Sequence, residues 1–171
     1  MILETKRLVL RELTQEDFGA LCAILQDPEV MYAYEHAFSL QEAQEWLERQ
    51  LGRYQKDGFG LWGVTHKETG RIIGQCGLTM QDCDGRQVME VGYLFQKAHW
   101  HKGYATEAAI ACRDYAFHTL GAQEVYSIIR DSNTASQAVA VRNGMTRVGS
   151  FTKHYYGMEM PHYIYRVEKE G

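Results

Sequence analysis

The chain has 171 residues, 45% of them hydrophobic and 23% charged, with a formal net charge of −4. That length suits one domain over residues 1–171 built on a single core. The scattered Lys and Arg leave no footprint for nucleic acid, and no apolar run is long enough to cross a bilayer. The opening Met1-Ile2-Leu3-Glu4-Thr5-Lys6-Arg7 lacks the regions of a signal peptide. The four cysteines (Cys22, Cys76, Cys83, Cys112) form no Cys-x-x-Cys pair, so reduced thiols in the cytoplasm are expected.

Leu8 to Leu13 reads as the first strand. Thr14 then caps a helix whose apolar face is Phe18, Leu21, Cys22 and Leu25, and Asp27-Pro28 interrupts it. Ser39 with Glu42 forms a capping-box pattern, and Ala43, Trp46, Leu47, Leu51 and Tyr54 continue one helical face until Gly58 and Gly60 end it. Three strands follow, Leu61 to His66, Ile72 to Met80 and Val88 to Phe95, joined by turns at Lys67–Gly70 and Asp82–Gly85. A glycine turn then opens a helix from Thr106 to Leu120, whose small face (Ala105, Ala108, Ala109, Cys112, Ala116) can lie close on a sheet. Val125 to Arg130 is a strand, Asn133 to Arg142 a helix ended by Asn143-Gly144, and two strands near Thr146–Tyr155 and Tyr163–Val167 complete the chain. The order describes an α/β mixed sheet with helices on its faces.

The glycine turn carries the chemistry. A strand, a tight turn at Gly103 and a helix start place several free backbone N–H groups and the positive end of a helix dipole at one spot, which holds phosphate groups. Gly58-Phe59-Gly60-Leu61-Trp62-Gly63 matches the dinucleotide fingerprint letter for letter, but it follows a helix and runs into a strand, the wrong context. It reads as a helix-ending turn. His99 and His101 have no third ligand nearby, so no metal is expected. Cys112 belongs to the small, core-facing stripe.

Trp100-His101-Lys102-Gly103-Tyr104-Ala105-Thr106-Glu107-Ala108, together with Glu4-Thr5-Lys6-Arg7-Leu8-Val9-Leu10-Arg11 and Asn133-Thr134-Ala135-Ser136, resembles the GNAT acetyltransferase superfamily. The likeness is greatest to the branch of ribosomal-protein N-terminal acetyltransferases, and its motifs run from Glu4 to Met145. The resemblance implies a mostly antiparallel twisted sheet of about six to seven strands flanked by about four helices. It implies acetyl-CoA as cosubstrate, its pyrophosphate on the N–H groups around His101, Lys102, Gly103, Tyr104, Ala105 and Thr106. Pantetheine would pair along Leu94, Phe95 and Gln96, held also by Asn133 and touched by Ser136. The reaction would be direct attack of a primary amine on the thioester in a ternary complex. Glu90 is the candidate base, as glutamates at a similar place are in some relatives, and Ser136 of the Asn-x-x-Ser element is the candidate acid; many relatives place a tyrosine acid where this chain has Ala140, so solvent is the alternative acid. A backbone N–H near Leu94 or Phe95 would hold the oxyanion. The acceptor is a protein N-terminus, such as a ribosomal protein's, or a small amine. The alternative is a CoA-binding module without turnover. The aromatic segments Met31–Phe38 and His154–Tyr163 are candidates for a substrate pocket, a homodimer surface or core, with Glu35 a candidate contact for a cationic amine.

Overall fold

The computed structural model describes residues 1–155 and 157–170. The elements run β1 (Leu3–Glu4), β2 (Leu8–Arg11), α1 (Phe18–Leu25), α2 (Leu40–Asp57), β3 (Leu61–His66), β4 (Ile72–Cys83) and β5 (Arg86–Phe95). They continue with α3 (Tyr104–His118), β6 (Glu124–Arg130), α4 (Thr134–Arg142), β7 (Thr146–Tyr155) and β8 (Met158–Glu168). Three single turns of 3-10 helix sit at Gln15–Asp17, Tyr32–Tyr34 and Lys97–His99.

The strands form one eight-stranded sheet in the order β1-β2-β3-β4-β5-β6-β8-β7. Every neighbouring pair is antiparallel except β5 and β6. The eighth strand, β1, escapes sequence patterning because two residues are too few to show an alternation.

Neighbouring residues of β4 show how the layers are built. Gln75 Oε1 accepts from Trp46 Nε1 of α2 (2.9 Å), whereas Cys76 Sγ lies 3.7 Å from Cys112 Sγ of α3. Successive strand residues point to opposite faces. One face therefore carries α2, and the other carries α3. The small stripe on α3 (Ala108, Ala109, Cys112, Ala116) is fully buried, which brings this helix close to the sheet. Trp62 is fully buried on the same side, edge-on to Tyr115 of α3 at 5.3 Å.

Local signals set the ends of α2. Ser39 and Glu42 form a reciprocal capping box, and Gly58 closes the helix in the left-handed conformation (φ 82°). Gly58 and Gly60 are thus a helix end and a strand start, not a nucleotide loop. Gly77 has a packing reason: a Cβ there would sit 2.0 Å from the Gly60 carbonyl, so β4 passes too close to β3 for any side chain.

Candidate active site

The parallel pairing of β5 with β6 is a single position, Glu90 opposite Tyr126. Beyond it, side chains do what a ladder would have done. The Ile128 N–H donates to Glu90 Oε2 (2.6 Å), and the Ser127 hydroxyl donates to the Val91 carbonyl (2.8 Å). The two strands part here and leave a cleft of about 530 Å³. Val91, Gly92, Tyr93 and Leu94 of β5 line one wall, and Ser127 to Arg130 of β6 the other.

Strand alternation sorts the cleft into two mouths. Glu90 pairs with Thr79 of β4, which shares the face of Gln75, so Glu90 lies on the α2 side. Trp46, Arg49 and Arg53 of α2 line that mouth, with Tyr34 and Phe38 of the first aromatic segment and Lys153 and His162 of the last hairpin. Tyr93 points the other way, and its hydroxyl donates to the backbone carbonyl of Ser136 at the start of α4 (2.8 Å). Ser136 and Asn133 line that second mouth.

Glu90 is a mid-strand carboxyl, not a solvated strand end. Burial pushes it from 4.5 up to about 7, against the opposing pull of the Ile128 N–H and the positive charges of Lys153 and Arg53. It is therefore poised between acid and carboxylate near neutral pH. The Asn133 side chain accepts from the Ser136 N–H (3.2 Å) and so caps α4. Burial raises Tyr93 and keeps it protonated.

The remaining expected residues lie along and beyond β5. The Gln96 N–H donates to the Ile73 carbonyl (2.9 Å), which fixes the even-numbered backbones of β5 on β4. Of the three residues expected along the open edge, Phe95 alone turns its backbone to the gap, joined by Tyr93. Leu94 instead lines the cleft, and the Gln96 side chain donates to the Ile72 carbonyl. The Phe95 carbonyl accepts from the Trp100 indole (2.9 Å).

Past the turn at Lys97–His99 comes the expected cradle. His101 (φ 63°) and Gly103 (φ 81°) are both left-handed, and Gly103 is the N-cap of α3. The helix begins two residues earlier than the periodicity suggested. Its own bonding starts with the Glu107 N–H on the Gly103 carbonyl (3.0 Å), so the N–H groups of Tyr104, Ala105 and Thr106 are not used by helical bonds. His101, Lys102 and Gly103 are exposed, leaving this helix end open to a ligand.

The sequence reading missed what holds the cradle. Glu107 accepts from the Arg7 N–H (2.9 Å), from Arg7 Nε (2.7 Å) and from the Thr5 hydroxyl. Burial opposes its charge, yet these donors hold its carboxyl below the ordinary value. Arg7 also donates to the Lys102 carbonyl (2.9 Å) and lies over the Tyr104 ring (4.4 Å). The two motifs at Glu4–Arg11 and Trp100–Ala108 are one unit in space.

Other expectations resolve similarly. Glu35 pairs with Arg130, so its carboxylate is engaged within the protein rather than offered to an amine. The two aromatic segments meet at the cleft through Tyr34 and Phe38 on one side and His162 on the other; Tyr156 lies outside the described residues. Cys76 and Cys112 are buried, and burial raises the Cys76 thiol well above its ordinary value, which suits packing and not nucleophilic attack. The spacing of Trp46, Arg49 and Arg53 (i, i+3, i+7) was the one signal that could have exposed the basic wall of α2.

The model of the acetyltransferase (GNAT) domain matches residues 7–146. An uncharacterized protein of Bacillus subtilis, YkkB, is 37% identical over 144 residues, 84% of each chain. An acetyltransferase from Agrobacterium tumefaciens superposes with a TM-score of 0.82 at 30% identity, covering 98% of this chain and 94% of that one. The ribosomal L7/L12 α-N-protein acetyltransferase, solved with coenzyme A, shares the fold at a TM-score of 0.78 and 16% identity, covering 98% and 97%.

Proposed function

Since the chain belongs to the GNAT acetyltransferase family and is an acetyl-CoA-dependent N-acetyltransferase, we propose that the acetyl group passes directly to a primary amine at the parting of β5 and β6, with Glu90 as base. The observation that carries this reading is the position of Glu90. It is a half-buried carboxyl, pushed up to about 7, inside a cleft walled by both strands.

Each part of the site then has a task. The N-terminus of α3 binds the pyrophosphate through the N–H groups around Gly103, where no side chain blocks the approach. Pantetheine follows the edge of β5 and brings the thioester beside Glu90. The amine enters from the α2 side, and Glu90 takes its proton as the C–N bond forms. A backbone N–H that β5 turns to the gap, from Tyr93 or Phe95, stabilises the oxyanion. The C–S bond breaks on the α4 side, and the thiolate takes a proton from the Ser136 hydroxyl or from solvent. In this reading the base on β5 and the acid on α4 act from opposite mouths of one cleft.

The acceptor is a protein N-terminus, of a ribosomal protein for example, or a small amine, and the site of action is the cytoplasm. The test is thiol release from acetyl-CoA against peptides, polyamines, amino acids and aminoglycosides, with the acetylated product identified by mass. Turnover on one class names the acceptor. Tight acetyl-CoA binding with no turnover on any amine would contradict the reading.

A further inference from the structure

The α2 mouth of the cleft carries cationic side chains on both walls. Four cationic side chains line the cleft, Arg49, Arg53, Arg130 and Lys153, against three carboxylates, Glu42, Glu45 and Glu90. Most of the negative charge is already engaged. Glu42 accepts from the Ser39 N–H (3.0 Å) and pairs with His36 (2.8 Å), and Glu90 holds the Ile128 N–H. Glu35, just outside, is committed to Arg130. Glu45 is exposed on α2 and accepts from Gln41 (3.2 Å).

Arg53 is the half-buried cation of the α2 wall, whereas Arg49 is exposed. Among the described residues no carboxylate lies within 4.0 Å of its guanidinium, and its hydrogen bond goes to the neutral Gln50 Oε1 (3.1 Å). It is half-buried, and burial together with the charge of Arg49 works against its protonated form. An arginine cannot escape that cost by losing its proton. Glu90 and Asp57 relieve it only in part, without a direct ion pair; an anion from outside would complete the relief, and a guanidinium fits a carboxylate or phosphate with two parallel hydrogen bonds. Arg53 also feels Glu90 electrostatically, as Lys153 does, so an anion held there keeps the rest of its molecule beside the base.

We propose that Arg53, with Lys153 across the cleft, binds an acidic group of the acceptor, so that the acceptor is an amine that also carries a carboxylate or a phosphate. This rests on the transferase reading above and narrows it. The net charge of −4 favours a cationic substrate for the molecule as a whole, but Arg49, Arg53 and Lys153 bring cationic groups to this mouth. A polyamine would meet like charges on entering.

Matched pairs of amines test this. Phosphoethanolamine is compared with ethanolamine, and a peptide beginning with aspartate with the same peptide beginning with asparagine, using wild type, Arg53→Gln and Arg53→Lys. The expected result is at least a tenfold preference in kcat/KM for the acidic member of one pair. Which pair shows it separates a small acid from an acidic N-terminus. The preference collapses to about one in Arg53→Gln and is partly retained in Arg53→Lys, with acetyl-CoA affinity unchanged as proof of folding. Equal turnover of acidic and neutral members, or a preference for spermidine, overturns the proposal and leaves the transferase intact. If no amine turns over, calorimetric titration of both acidic probes into the protein with CoA decides. Binding that Arg53→Gln abolishes sustains the anion site while the transferase reading fails, and absence of binding overturns the site.

Discussion

Replacing Glu90 by glutamine should make the protein more stable at alkaline pH while disabling it. The displacement of the carboxyl from 4.5 to about 7 corresponds to roughly 3 kcal/mol against the charged form. The sign follows from linkage. A carboxyl whose folded value is raised contributes nothing adverse below about 4.5, and costs progressively more as pH climbs through about 7. At pH 5 the folded group is still protonated, and the cost is on the order of 1 kcal/mol. At pH 8 the whole cost, roughly 3 kcal/mol, is present. Glutamine carries no charge and keeps a carbonyl that can accept the Ile128 N–H. Urea unfolding of wild type and Glu90→Gln at both pH values isolates this one group, because every other titration cancels in the comparison. The variant should gain about 2 kcal/mol on wild type between pH 5 and pH 8. A difference that is flat with pH, or a variant that loses ground at pH 8, would refute the idea that Glu90 is a charge held at a cost.

Further predictions concern the cradle and the frame around it. Gly103→Glu puts a side chain and a negative charge where φ is 81° and N–H groups converge, so acetyl-CoA affinity should fall at least tenfold; unchanged affinity by calorimetry would remove the cradle from the cofactor site. Glu107→Ala unties Thr5 and Arg7 from α3. Because the Arg7 side chain is 37% exposed, the stability loss should be only about 1–2 kcal/mol, accompanied by weaker acetyl-CoA binding with kcat at saturation preserved. Equal losses in kcat and affinity would place Glu107 elsewhere in the mechanism. Ser39→Ala breaks the capping box of α2 and should cost about 1 kcal/mol in urea unfolding without altering acetyl-CoA affinity.

Much of this fold was legible because its signals are local. The strand-like runs Leu61–His66 and Val88–Phe95 with the turns that bound them, the Ser39–Glu42 box and the stop at Gly58 all act within a few residues. The start of α3 read two residues late, since Tyr104 and Ala105 join the helix as soon as Gly103 has turned the chain. Candidate site residues could be named from the sequence, but their arrangement could not. Glu90 and Ser136 were both marked, and they border one cleft, yet only the pairing of Glu90 with Thr79 reveals that they serve opposite mouths. The period of two likewise decides that Phe95, and not Leu94 or Gln96, turns its backbone to the gap. Contacts between distant segments could not be read at all. Arg7 and Glu107 meet across 100 positions, and Lys153 and Arg53 reach Glu90 from elements on either side of it in the chain.

The central claim is that a carboxylate at Glu90 accepts the proton of the attacking amine. The most direct measurement is the pH dependence of kcat/KM for wild type and Glu90→Gln with the same acceptor, so that the acceptor's own ionisation divides out of their ratio. That ratio should be constant above about pH 7, at a hundredfold or more, and should fall tenfold per pH unit below it as Glu90 takes up a proton. A ratio near one, or one that does not change with pH, would contradict the assignment of Glu90 as the base.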